Sequence, residues 1–228
     1  MPSRLAFIAA PLALLAAPAA RAETTQDEHA WINLTAMGPI AGDVVYFAEL
    51  QPRMGDGVSR LDQLLLRGAV GVKLSPSVTL YQGYAHVVSP VDGGRDINEE
   101  RSFQQLNLAL GKPLGGELSS RTRLEQRWRS DGRDVGWRLR EMIRYEHPLK
   151  AGSDAVNALV YAEGFVALNG TDWGAKGGLD QVRSFVGAEV GLPGASTLEL
   201  GYLNQTIDQT RGRTRMNHVA SITLFYRH

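Results

Sequence analysis

The chain has no cysteine, which excludes a disulfide framework, a thiolate nucleophile and any cysteine-based zinc site. Neither sign of charge is in excess: 24 basic residues meet 24 acidic ones, which is not the balance of a nucleic-acid-binding protein. Beyond residue 22 no apolar run approaches the ~20 residues that a spanning helix needs. The histidines, His29, His86, His147, His218 and His228, are dispersed and lack the His-Glu-x-x-His spacing of a zinc site. No Gly-x-Ser-x-Gly elbow occurs. His86 precedes Ser89, and His218 precedes Ser221, by three positions. In a strand that spacing puts the two side chains on opposite faces and defeats a direct Ser–His bond. The sequence is therefore read as non-enzymatic, with no metal or cofactor expected; the enzymatic alternative is an outer-membrane lipid-modifying enzyme.

What is present begins with MPSRLAFIAAPLALLAAPAARAETT. Arg4 precedes an apolar run from Leu5 to Ala17, and Ala20-Arg21-Ala22 fits the small-x-small pattern of a secretory cleavage site. Pro11 and Pro18 are poorly placed for a buried helix. Residues 1–22 are expected to be a signal peptide, and 23–228 a single exported domain. Cleavage removes Arg4 and Arg21 and no acid, leaving 22 bases against 24 acids.

The rest of the chain repeats one theme, a stretch of alternating character followed by a turn cluster rich in the chain's 25 glycines. Strands are expected at Ala30–Met37, Val44–Arg53, Leu61–Leu74, Val78–Val88, Arg101–Gly111, Leu118–Ser130, Val135–His147, Val156–Leu168, Gln181–Leu192, Ser196–Ile207 and Met216–Arg227. No segment has a 3.6-residue period. In Leu61–Leu74, for example, Leu64, Leu66, Val70, Val72 and Leu74 share one face, opposite Gln63, Arg67 and Lys73. Phe103 is an exception, lying on a polar face. Connectors alternate between short and long, as in an up-and-down antiparallel sheet. Together with export, this is the pattern of an all-β, transmembrane β-barrel in the outer membrane, with short periplasmic turns and long outer loops. At ~3.3 Å per residue, a thirteen-residue strand tilted ~40° rises roughly 33 Å, enough to cross an apolar band ~25 Å tall. The strands number eleven, and because bacterial single-chain barrels have even numbers, ten or twelve are expected, with Ala30–Met37 the weakest. A soluble lipocalin-like barrel would put the apolar face inward instead.

The stretch RTRLEQRWRSDGRDVGWRLREMIRYEHPL, Arg121 to Leu149, shows the two faces most clearly. Folded about Gly132-Arg133, it sets Trp128 opposite Trp137 on the apolar side, as an aromatic girdle near the loop. The other face carries Arg121, Arg123, Glu125, Arg127 and Arg129 on one strand and Arg138, Arg140, Arg144 and Glu146 on the next. That folding pairs Glu125 with Arg140, Arg127 with Arg138, and Arg121 with Arg144. Lipid-facing arginine would cost ~2–4 kcal/mol each at the midplane, so these residues are placed in the lumen. The like-charged Arg127–Arg138 pair requires acids from other strands, for which Glu49, Glu163, Glu189 and Glu199 are candidates. The set reads as a lumen plugged by Arg–Glu networks. The alternative is an anion-attracting constriction or ligand site at Arg127, Arg138 and Arg140.

Asp92, Asp96, Glu99 and Glu100 crowd DGGRDINEE. They could in principle hold Ca²⁺, although a solvated outer loop is the reading adopted. In the last segment, MNHVASITLFYRH, Ala220, Ile222, Leu224 and Tyr226 share a face. Tyr226 would then join the periplasmic girdle, an ending suited to recognition by barrel-assembly machinery. The expected partners are that machinery and the lipid bilayer, with no nucleic acid and no ligand specified.

The stretches AWINLTAM, VVYFAELQPR, RLDQLLLRGAVGVKLSPSVTLYQGYAHV, RTRLEQRW and WRLREMIRYEHPL resemble a bacterial family known only as a domain of unknown function. Its members look like small outer-membrane β-barrels. The resemblance spans nearly the whole mature chain and implies a barrel and an envelope address. It brings no activity and no catalytic residues.

Overall fold

The computed structural model describes residues 24–152, 155–209 and 212–228. The proposed signal peptide, residues 1–22, lies outside them. Eleven strands form one closed barrel: β1 (Thr24–Ala41), β2 (Val44–Gly55), β3 (Arg60–Ser75), β4 (Val78–Ser89), β5 (Ile97–Gly111), β6 (Glu117–Arg129), β7 (Gly136–Lys150), β8 (Val156–Ala167), β9 (Gly178–Gly191), β10 (Thr197–Asp208) and β11 (Thr214–Arg227). Among the described residues the one helical piece is a 3-10 turn, Pro113–Gly115.

Each strand pairs antiparallel with its neighbours in sequence, except at the seam. There β1 and β11 run parallel, in register from Thr24 opposite Thr214 to Met37 opposite Arg227. This corrects two expectations, an even strand number and a wholly antiparallel sheet. An odd up-and-down set leaves its first and last strands pointing the same way, so closure requires a parallel pair. It also corrects the weakness assigned to Ala30–Met37. That segment is the middle of an 18-residue strand. Its backbone is paired on both sides, so hydrogen bonding sustains it where the side-chain pattern is faint.

Short connections at 42–43, 76–77, 112–116 and 192–196 share one end with His228. The longer loops 90–96, 130–135 and 168–177 share the other with Thr24.

Side chains alternate between the two walls except at the register shifts, such as Arg53/Met54 and Phe165/Val166. Outside, Val70, Leu80, Val160, Val186 and Ile222 are 41–58 % exposed. Inside, Glu125, Arg123, Arg140 and Arg138 are 1–7 % exposed. The lipocalin-like inversion is thereby overturned: the greasy wall faces out and the arginines face in. One polar stripe interrupts the outer wall. Gln126 donates to Gln104 (2.9 Å), Gln104 to Gln82 (2.8 Å) and Gln82 to Ser102 (3.2 Å), so its amides satisfy one another.

The interior is not wholly charged. Trp31, Leu159, Phe185, Leu203 and Val219 form one apolar cluster, and Val45, Phe47, Ala69, Tyr81 and Phe103 another. Glycines make room for these rings. A Cβ on Gly83 would lie 2.1 Å from the Phe103 ring, and one on Gly201 2.5 Å from Phe185. Phe103 thus belongs to the inner wall, folded over the residue opposite it on β4.

Candidate functional site: the arginine-lined lumen

The inner faces of β5, β6 and β7 carry an ionic cluster toward the loop end. Glu99 accepts from Arg101 Nε (2.9 Å) and Nη2 (3.0 Å) and from Arg127 Nε (2.5 Å). Glu125 accepts from Arg138 Nε (2.9 Å) and Nη2 (2.6 Å) through one oxygen and from Arg140 Nη1 (2.7 Å) through the other. Arg140 also reaches Glu163 at 2.7 Å, and Arg121 reaches the same oxygen at 2.8 Å. Two cross-strand pairs in this region, Arg101–Arg127 and Arg123–Arg140, are like-charged. A carboxylate two residues along the strand lies beside each, Glu99 for the first and Glu125 for the second. Near the turns Arg144 binds Glu146 (2.5 Å), Glu199 (2.6 Å) and Glu189 (3.4 Å); at mid-strand Arg67 binds Glu49 (2.6 Å). The four distant acids expected from sequence are therefore all in the lumen.

The hairpin register differs from the expected one by two residues. Glu125 faces Arg138, Arg127 faces Gly136, and Arg121 faces Met142. The facing of Arg127 with Arg138 and of Trp128 with Trp137 does not occur; Trp128 lies opposite Glu100 and Trp137 opposite Gln126. A two-residue slip preserves both faces, which is why the inward and outward sets survive it.

The neighbouring loop holds 130–135 in this register. The Asp172 carboxylate accepts from the backbone N–H of Arg133 (2.9 Å) and Asp134 (3.2 Å). Trp173 Nε1 donates to the Asp134 carbonyl (2.8 Å). Those two backbone donors hold the Asp172 carboxyl below its ordinary pKa. The Arg127 and Arg129 guanidiniums lie 5.0 and 5.1 Å from the Trp173 ring. Arg129, expected in the lumen network, pairs instead with Asp131 at the mouth (2.6 Å). Trp173 is assigned no role from sequence; its one signal is its isolation in the glycine-rich NGTDWGAKGG.

The acidic loop is also revised. Glu99 and Glu100 lie on β5, on opposite walls: Glu99 is in the ionic cluster, while Glu100 outside bonds Tyr84 and His86. The four acids of that stretch do not converge, and among the described residues no group of metal-ligating side chains does. Ser89 accepts from Gln63, an inward residue, whereas His86 is on the outer wall. His218 bonds Tyr202 and Gln26 rather than Ser221.

Below the ionic cluster the lumen opens into a chamber of about 480 Å³, whose lining runs from Arg53 and Arg183 to Pro76, Ser77 and Ala109 at the turns.

Fold and lumen define the class: a small closed β-barrel with an apolar outer wall and an interior filled by arginine and glutamate. The family follows from comparison. The model of a protein family of unknown function, DUF2490, matches residues 28–217, and the chain belongs to that family. An uncharacterised protein of Methylorubrum extorquens is 49% identical over 226 residues, covering 97% of each chain. No solved structure matches.

Proposed function

We propose that this is an outer-membrane barrel, exported and cut after Ala22, whose Arg–Glu lumen closes it to through-flow, so that it serves as a structural or interaction barrel and not as a pore. The observation that carries this reading is the pairing of the two walls. Leucine, valine and isoleucine stand exposed around the outside while arginine and glutamate are buried inside. Water gains nothing from that arrangement, whereas a bilayer is matched by it. Trp128 and Trp137 project outward toward the loop end and Tyr226 toward the turn end, where girdles belong. With the long loops outside the cell, the turns and Tyr226 face the periplasm, where assembly machinery would engage β11. The odd strand number then puts Thr24 on the outer side, opposite His228.

An epitope inserted between Glu23 and Thr24 tests placement and topology together. It should stain on intact cells, and an epitope after His228 only after permeabilisation. Recovery of the folded protein in the soluble periplasmic fraction would end the membrane reading. Staining of both epitopes on intact cells would end the topology.

A further inference from the structure

We propose that the chamber below the ionic cluster is a binding site for a small organic carboxylate: one anionic head held by Arg53, Arg123 and Arg183, and a compact apolar body. The site rests on lumen geometry and not on the membrane reading.

Charge is the first ground. Eight arginines and four glutamates line the chamber, and Arg67, Arg121, Arg140 and Arg144 each hold a carboxylate at 2.5–2.8 Å; among the described residues the other lining arginines do not. The second ground is which arginines lack one. Arg53 hydrogen-bonds the neutral amide oxygens of Gln51 (2.8 Å) and Gln63 (3.1 Å), and no described acid lies within ion-pair distance. Arg123 is held by the Gln105 amide oxygen through Nε (2.7 Å) and approaches Glu125 no closer than 3.8 Å. Arg183 is 4.0 Å from Glu163. Arg53 and Arg183 share the Trp31 ring, at 4.0 and 4.9 Å from its centroid.

The third ground is independent of charge. Three buried atoms of residues in the lining, Trp31 Nε1, Arg121 Nε and Arg123 Nη1, have no hydrogen-bond partner within the protein. All three are donors. A buried unpaired donor is costly, and what each of the three calls for is an acceptor. The fourth ground sets the class of anion. Phe47, Tyr81 and Leu203 share the lining with these donors, so inorganic phosphate would leave them uncovered. A carboxylate matches the planar fork of guanidinium and can carry an apolar body. The chamber's size is that of small-molecule sites.

The test is calorimetric titration of the folded barrel in detergent with three probes: benzoate, its neutral analogue benzamide, and inorganic phosphate. Benzoate is expected to bind saturably with one site per chain, at least ~10-fold more tightly than either other probe. Arg123→Gln should weaken benzoate ~10-fold or more. Arg53→Gln, which leaves Arg123 and its partners untouched, serves as a second probe of the site if Arg123→Gln does not fold. Equal binding of benzoate and benzamide would mean apolar partition and would overturn the proposal, as would phosphate binding without benzoate. No benzoate binding up to ~10 mM would overturn it as well. Undiminished binding in the folded variants would put the site elsewhere.

Discussion

The ionic cluster and the chamber beneath it are built from the same cation held in two ways. In the cluster, Arg101, Arg127 and Arg138 each have a carboxylate at 2.5–2.9 Å. In the chamber, Arg53 and Arg123 are steadied by glutamine amides, and Arg123 keeps one donor unpaired. A buried cation with its own anion is structural, because removing either member strands the other. A buried cation oriented by neutral amides is positioned but not neutralised, and so remains available to something that arrives. Partner chemistry thus separates arginines that hold the barrel from arginines that face a ligand.

Breaking the cluster should have the largest effect. Glu125→Ala leaves Arg138 and Arg140 facing a vacated acid, and should cost ~3–5 kcal/mol in urea unfolding of the reconstituted barrel. A loss below ~1 kcal/mol would mean that the cluster is hydrated and not structural. Next comes Gly83→Ala, whose methyl would meet the Phe103 ring at 2.1 Å. Overpacking of this kind should cost ~1–3 kcal/mol in the same measurement. The comparison is sharpest in a matched pair: Arg138→Met should cost ~3 kcal/mol, while Arg53→Met should cost no more than ~1 kcal/mol or even stabilise. Equal losses would erase the distinction drawn between the two regions.

The smallest effect concerns the loop clasp. Asp172 has a folded pKa below its ordinary value near 3.8, because backbone donors of Arg133 and Asp134 favour the carboxylate. Its contribution is therefore fully present above that ordinary value and is lost as pH falls through the lowered one. Trp173 fluorescence should be flat from neutral pH down to ~4 and change only below it. In Asp172→Asn the acid transition should vanish.

Much of this was legible in the chain. Period-two alternation located the strands, and in the arginine hairpin it put the charged residues in and the tryptophans out, because a side chain's face depends only on parity. Register was not legible. The turn reads as local, but loop 130–135 is bonded to Asp172 and Trp173, some forty residues on. Strand number failed for a related reason. Evenness is a habit of barrels and not a requirement of hydrogen bonding, and Ala30–Met37 carries too mixed a pattern to announce its parallel partner. Glu99 reads as a loop residue because acids beside glycine and aspartate suggest solvation, yet on β5 it is the counter-ion of two arginines. The chamber had no sequence signal, since it lies among residues of several strands whose meeting is set by closure of the barrel.

Ion conduction across a planar bilayer tests the central claim most directly. If the Arg–Glu cluster closes the lumen, the purified barrel should insert and give no resolved conductance steps at any salt concentration. Steady steps with anion preference in the wild-type protein would contradict closure and make the arginines the lining of a pore.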